Sequence, residues 1–273
     1  MVREDDGLAT RDIGEWTERK LWWWNRYIEI TTRAMVNQPQ FSGGLVYVDL
    51  FAGPAVLRKK DGTRIPGSPL LAAEAPNPFT KIVLCEKDEN VAAACEQRLI
   101  TRGHRDRCVV IRGDCNLMVG DICHEIPANS LTLAFVDPTG LHANFETIKR
   151  LARGRAVDFL ILVADGYDIV RNVEQYAAQP QSNLDSFLGE GCNWRNAWKQ
   201  LPNHDSINVC RMFLDLYQQQ LKSRLGYLHF GAEYLAMPKG AELYRILFAS
   251  RHELGLKFWL ESTKHDKNSK SLF

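Results

Sequence analysis

Along the chain, short runs that are apolar at every position alternate with longer stretches whose apolar residues recur every three or four positions. Trp16, Trp23, Tyr27 and Ile30 recur in this way between Arg19, Lys20, Arg26 and Arg33, predicting a helix over 15–35. Three successive tryptophans, Trp22, Trp23 and Trp24, point in different directions, so one of them is expected to cover something outside the helix, the alternative being packing against a neighbouring helix. Continuous apolar runs at 45–50 (LVYVDL), 81–85 (KIVLC), 108–111 (CVVI), 131–136 (LTLAFV) and 157–164 (VDFLILVA) read as buried strands. Helical segments fall between them at 69–75, with Ser68 as its cap, at 90–102 and at 145–152. Buried strands separated by helices predict an α/β fold with a mostly parallel, Rossmann-like sheet covered on both faces.

Beyond residue 170 the pattern changes. Segments 184–201 and 207–225 read as helices, 227–237 and 242–250 as two closing strands joined at Pro238-Lys239-Gly240, and 254–260 as a last short helix before a polar tail. Residues 1–14 read as a frayed polar arm. The expected organisation is an arm and helix over 1–40, then one domain over 41–273 with a helical insertion around 170–225.

Composition narrows the class. A chain of 273 residues that is 45% apolar suits one large α/β domain. Thirty-four Lys and Arg against 33 Asp and Glu leave a net charge of +1, so any polyanion would have to be met by a local patch. Seven cysteines, an odd number without a CxxC pair, read as reduced, mostly buried thiols rather than a disulfide framework or a zinc site. The histidines show no ligand spacing, and no metal is expected. The stretch MVREDDGLATRDIGEW has no apolar segment, and no run approaches the ~20 residues of a membrane span, so a soluble cytoplasmic protein is expected.

The chemistry gathers at strand ends. In an open parallel sheet, ligands bind outside the carboxyl ends of the strands. Asp49, Glu86, Asp114 and Asp137 stand at or just past four successive ends. Asp49 could balance a cationic group such as an ammonium, Glu86 could take both hydroxyls of a ribose, Asp114 could meet the amine of an adenine, and Asp137 would lie beside the reacting atom. Phe51, Gly53 and Pro54 form the first turn, where Gly53 lets backbone approach a ligand; Lys87 and Cys115 flank the second and third acids. A dinucleotide fingerprint GxGxxG is absent: one glycine stands at the turn, and a detour over 58–67 precedes the next helix. Arg58, Lys59, Lys60 and Arg64 crowd that detour and are candidates to hold an acidic acceptor, the alternative being a solvated face. Asp165-Gly166-Tyr167-Asp168 either borders an acceptor pocket or is a plain turn.

The segments VYVDLFAGP, IPGSPLLAA, IVLCEKDEN, RGDCN, AFVDPTGL and YRILFASRHELGLKFW, in this order, resemble the three-Cys-motif partner proteins (TcmP), a bacterial and phage group. The resemblance runs from about Thr17 to Trp259. It implies a class I methyltransferase fold with seven strands, S-adenosylmethionine as cofactor, and a companion protein carrying three clustered cysteines of the radical-enzyme type. Asp49 and Gly53 match the family's cofactor turn, Glu86 its ribose acid, Asp114 its GDCN segment, and Asp137, Pro138 and Gly140 its DPxG segment. Ala55 stands where many methyltransferases keep a second glycine, and Thr139 where the family often has an aromatic residue. Asp137 is the first candidate to orient or deprotonate the acceptor, with Thr139 beside it. No [DN]PP[FY] ring and no Pro-Cys pair accompany them, so nucleic acid, protein and small-molecule acceptors all stay open, as does a silent cofactor-binding module.

Overall fold

The structure, a computed structural model, describes residues 5–236 and 242–264. A short strand β1 (Arg11–Asp12) and helix α1 (Glu15–Met35) lead into β2 (Leu45–Asp49), the hairpin β3 (Val56–Arg58) and β4 (Arg64–Pro66), and helix α2 (Ser68–Ala73). Alternation follows: β5 (Lys81–Glu86), α3 (Glu89–Thr101), β6 (Cys108–Arg112), α4 (Cys115–His124), β7 (Leu131–Val136), α5 (Phe145–Ala152) and β8 (Ala156–Val163). Four helices come next, α6 (Val170–Ala178), α7 (Asn183–Leu188), α8 (Trp194–Gln200) and α9 (Ser206–Leu225). Strands β9 (His229–Ala236) and β10 (Glu242–Ser250) and helix α10 (Glu253–Thr263) close the chain. None of these helices, among the described residues, is long and apolar enough to cross a membrane.

The main sheet runs β6-β5-β2-β7-β8-β10-β9. Strands β6 through β8 are parallel, and β10 lies antiparallel between β8 and β9. This is the expected seven-stranded, mostly parallel, Rossmann-like sheet. The order reverses at β2: β5 and β6 follow it on one side, β7 and β8 on the other. Asp49, the last residue of β2, is in register with Leu84 of β5 and Phe135 of β7. The carboxyl ends of these strands therefore part around Asp49, which places the crevice that such a reversal creates. Helices α1, α2, α3 and α10 cover one face of the sheet and α4, α5, α7 and α9 the other, each over its own apolar cluster.

Several expectations need correction. All three tryptophans are buried, with Trp22 at 7% exposure and Trp23 and Trp24 at 0%. Three neighbours meet their three directions: Trp24 stacks on Phe135 of the sheet at 5.1 Å, Trp23 meets Trp259 of α10 edge-on at 6.4 Å, and the Arg26 guanidinium covers Trp22. The arm is not frayed over its described part, because its acids find distant arginines. Asp6 takes two bonds of 2.7 Å from Arg98, Asp5 pairs with Arg64, and β1 adds to β3 as a third strand. The detour after β2 is the β3–β4 hairpin. The segment 184–201 breaks at Gly189, whose φ of +83° and closeness to the Phe145 ring (a Cβ there would sit 2.7 Å away) leave room only for glycine. Helix α4 and the π-helical turn Asp165–Ile169 carried no clear periodicity. The Pro238-Lys239-Gly240 turn and the polar tail from 265 lie outside the described residues.

Ser68 does not cap α2; Gly67 holds that position. The Ser68 hydroxyl instead donates to Asp49 Oδ2 at 2.6 Å. The same carboxylate accepts from the Tyr47 hydroxyl at 3.2 Å and, on Oδ1, from the Phe51 amide at 3.1 Å, while Trp24 Nε1 donates to the Tyr47 oxygen at 3.0 Å. Asp49 is wholly buried. Burial pushes its carboxyl up to about 7, against the pull of the Ser68 and Phe51 hydrogen bonds.

Two outcomes are expected. Trp24→Ala should lower unfolding free energy by about 3–5 kcal/mol, the range for emptying a buried indole site, read as a shift in the urea midpoint. An acid whose pKa is raised on folding holds its proton more tightly folded than unfolded, so its contribution is lost as pH rises from its ordinary value of 3.8 to about 7. Asp49→Asn, which cannot ionise, should therefore gain on the wild type across that window and hold a constant difference above it. Urea titrations at pH 4.5, 6 and 8 check the sign; a flat difference would show that Asp49 ionises as an exposed carboxylate does.

Candidate active site

The loop that leaves β2 is held from both neighbouring strands. The Leu50 amide donates to Phe135 O at 3.1 Å and the Ala52 amide to Cys85 O at 2.9 Å. Gly53 then turns with φ +65°, and its amide donates to Glu86 Oε2 at 2.9 Å. Ala55 takes the same left-handed φ of +65° without being glycine, at a cost of roughly 1–2 kcal/mol. Backbone strain of this kind persists where the surroundings overdetermine it, most often beside a site. Glu86 Oε1 accepts in turn from the Asp88 amide at 3.0 Å, so one carboxylate at 7% exposure fastens the β2 turn to the β5 turn.

A cleft of about 370 Å³ opens over this junction. Phe51 lines it from the β2 loop, Glu86 and Lys87 from the end of β5, Asp114 and Cys115 from the end of β6, and Asp137 and Thr139 from the end of β7. Asp114 caps α4 through the Asn116 amide at 2.9 Å and meets Lys87 at 3.3 Å. Partial burial works against ionisation there, but these two hydrogen bonds outweigh it and hold the acid below its usual range. Burial pushes the Cys115 thiol up to about 12, so it lines the wall as a neutral thiol. Asp49 and Pro54 do not line the cleft. Asp49 is buried beneath the loop, and the Pro54 carbonyl accepts from Arg98 at 2.6 Å.

A second cavity, of about 170 Å³, adjoins the first across Arg11, Phe51, Asp137 and Thr139, which line both. Gly53 and Ser68 face it from the β2 side, Trp16, Thr17 and Lys20 from α1, and Tyr244 from β10. Lys20, with its side chain 3% exposed, places Nζ 2.5 Å from Asp137 Oδ2 and 4.8 Å from the Trp16 ring centroid. Asp137 is thus held by a buried cation on one side and open to the cavities on the other, its side chain 20% exposed.

The segment after Asp137 is tied down from the π-helical turn. Asp168 Oδ2 accepts from the Leu141 amide at 3.3 Å, and its Oδ1 from the Tyr176 hydroxyl at 2.5 Å. A Cβ on Gly140 would come within 2.9 Å of Asp168 Oδ2, so a side chain there would displace that carboxylate. A buried ion pair, Asp165 with Arg245 at 3.0 Å, fixes the start of the same turn against β10. Asn116 performs the equivalent task on the far side, donating to His142 O at 2.8 Å and accepting from the Asn144 amide at 2.9 Å.

The basic detour sits elsewhere. Arg58 pairs with Asp12 at 2.7 Å, Lys59 with Glu18 at 3.1 Å and Arg64 with Asp5 at 2.7 Å, while Lys60 is exposed. None of the four lines either cavity. Acids of the arm and of α1 occupy the charges that the sequence offers to an acceptor, and the buried Trp22, Trp23 and Trp24 supply no stacking surface beside them. Sequence reading missed Arg11, Lys20 and Asn116. Lys20 left a trace: it falls on the buried stripe, four residues after Trp16 and three before Trp23, where a charge demands a partner. Arg11 left none, since its place over Gly53 depends on the arm pairing with β3.

No family model matches the sequence, and no curated protein does. Among solved structures, the chain is similar to an O-methyltransferase of tomaymycin synthesis from Streptomyces achromogenes, solved with S-adenosylmethionine, at 12% identity over 92% of each chain with a TM-score of 0.45. It is similar to an O-methyltransferase from Bacillus cereus, solved with S-adenosylhomocysteine, at 11% identity over 89% of this chain and 84% of that one, with a TM-score of 0.46. A Legionella pneumophila protein aligns at 12% identity over 93% of this chain and 94% of its own, with a TM-score of 0.47. These are similarities of chain path; what the cleft can do follows from its own residues.

Proposed function

We propose that the protein is an S-adenosylmethionine-dependent methyltransferase, with the larger cleft as its cofactor site. The observation that carries this reading is the placement of Glu86 and Asp114 at the ends of consecutive strands, in one cleft that reaches Asp137 beyond the strand-order reversal. A dinucleotide needs backbone amides and a helix N-terminus aimed at its diphosphate. Here the Gly53 amide is taken by Glu86, and the hairpin separates the turn from α2 along the chain, with Ser68 at the head of α2 engaged by Asp49. A cleft with acids at three strand ends against two bases, Arg11 and Lys87, suits a cationic nucleoside. Glu86, fixed by two backbone amides, keeps lone pairs for a pair of ribose hydroxyls. Asp114, with Asn116 and the neutral Cys115, would face the base.

When bound, the cofactor supplies an electrophilic methyl on a sulfonium sulfur, transferred by in-line displacement with the bonding pair returning to sulfur. The protein's part is to align and to exclude water. Asp137 would accept the hydrogen of the attacking group, and Lys20 holds that carboxylate in place. Thr139, exposed at the same edge, would contact the acceptor. Acids of the arm and of α1 pair with three of the four basic hairpin residues, which weakens the support for a phosphate-bearing acceptor. The family resemblance extends the proposal to a companion with three clustered cysteines, to be sought by co-purification with the tagged chain.

Glu86→Ala should weaken S-adenosylmethionine binding in calorimetry by about 1–3 kcal/mol, the scale of lost hydrogen bonds to a charged group, with the unfolding transition still cooperative. Affinity left unchanged would remove the ribose assignment. Asp137→Asn should leave that affinity within a factor of about two while lowering methyl transfer by about 10²–10⁴, the range for a lost general base. Transfer of a labelled methyl in a screen of nucleic-acid, protein and small-molecule acceptors reads this second outcome.

A further inference from the structure

The smaller cavity has a composition of its own. Its volume, about 170 Å³, equals that of roughly five or six waters at ~30 Å³ each, which is room for a single ring system and not for a length of polymer. Its outer wall is aromatic: Trp16 and Tyr244 lie stacked, ring centroids 4.8 Å apart and planes within 22°. Gly14 makes that position available to Trp16, since a Cβ there would sit 2.9 Å from the indole nitrogen. Leu21, Leu57 and Leu162 add apolar surface. Against this the cavity holds the Lys20–Asp137 ion pair, which balances its own charge. Among the described residues, Lys20 is the only hydrogen-bond partner of Asp137, and it engages Oδ2. The remaining oxygen is an acceptor without a donor, on a side chain open to the cavity.

We infer that this cavity is the acceptor site and that it takes an uncharged, flat aromatic ring carrying an N–H or O–H donor. The inference rests on the cofactor reading for its name as an acceptor site. The ring packs against the Trp16–Tyr244 pair, whose Trp16 ring also lies under Lys20 Nζ, and edge-to-face contact there rewards aromatic groups over saturated ones of equal size. Its N–H or O–H donates to the free oxygen of Asp137. That bond points the heteroatom toward the wall shared with the larger cleft, at Phe51, Asp137 and Thr139. Lys20 is a positioning residue here: it fixes which carboxylate oxygen faces the ring. The donor can come from a phenol or from a nucleobase amine, and both share this chemistry.

Ligand-observed saturation-transfer NMR on the whole chain tests the site with four probes: phenol and cytosine, which have both ring and donor; toluene, which has the ring alone; and cyclohexanol, which has the donor alone. S-adenosylhomocysteine is added at saturation in one series and omitted in another. Phenol or cytosine should bind at least tenfold more tightly than toluene and cyclohexanol, and the better of the two identifies the source of the ring. Trp16→Leu and, separately, Tyr244→Leu should each weaken that binding at least tenfold while leaving S-adenosylhomocysteine affinity unchanged; two variants guard against one that fails to fold. Lys20→Met should erase the preference for phenol over toluene, whereas a merely structural lysine would leave the preference intact. Cyclohexanol binding as tightly as phenol, or phenol binding untouched by both ring variants, would overturn the assignment. If the aromatic preference holds but S-adenosylhomocysteine does not bind, the cofactor reading falls and the ring site stands.

Discussion

A buried carboxylate sits under everything the site does. Asp49 ends the central strand where the sheet order reverses, and its donors come from three directions: Tyr47 on its own strand, Phe51 in the loop above and Ser68 at the head of α2. Through Tyr47 and Trp24 the network reaches α1, the helix that carries Trp16 and Lys20 into the second cavity. An unsatisfied buried acid costs several kcal/mol, so each donor must stay in place, and the loop, the helix and the strand are positioned together. The cleft owes its shape to that requirement as much as to the apolar packing of the sheet.

Charge is handled by pairing across long sequence distances. The arm's acids meet Arg98, Arg64 and Arg58, and Lys20 meets Asp137 across 117 residues. A chain with 34 basic and 33 acidic residues can satisfy most of its charges internally, and here it does so around the active face. The exposed pairs contribute little each. Arg98 is different: at 4% exposure it binds Asp6 and the Ala9 and Pro54 carbonyls, so losing one partner would strand a buried cation. This arginine anchors the arm beside the β2 turn, and the arm delivers Arg11 over Gly53, in the wall between the two cavities.

What the sequence alone determined is the sheet and the acids at its edge. Buried parallel strands are apolar on both faces, so they appear as unbroken runs, and the chain must emerge at their carboxyl ends, where Glu86, Asp114 and Asp137 stand in order. Those signals are local and survive without a partner in view. The tertiary structure decided what depends on pairing between distant segments. It made Asp49 a buried hub, turned the basic detour into a clamp for the arm, buried three tryptophans by meeting each with a different neighbour, and set Lys20 against Asp137. Side-chain type is written in the sequence, but whether a charge faces solvent, a ligand or an opposite charge is settled by which segments meet, and an ion pair between residues 20 and 137 leaves no periodicity to read.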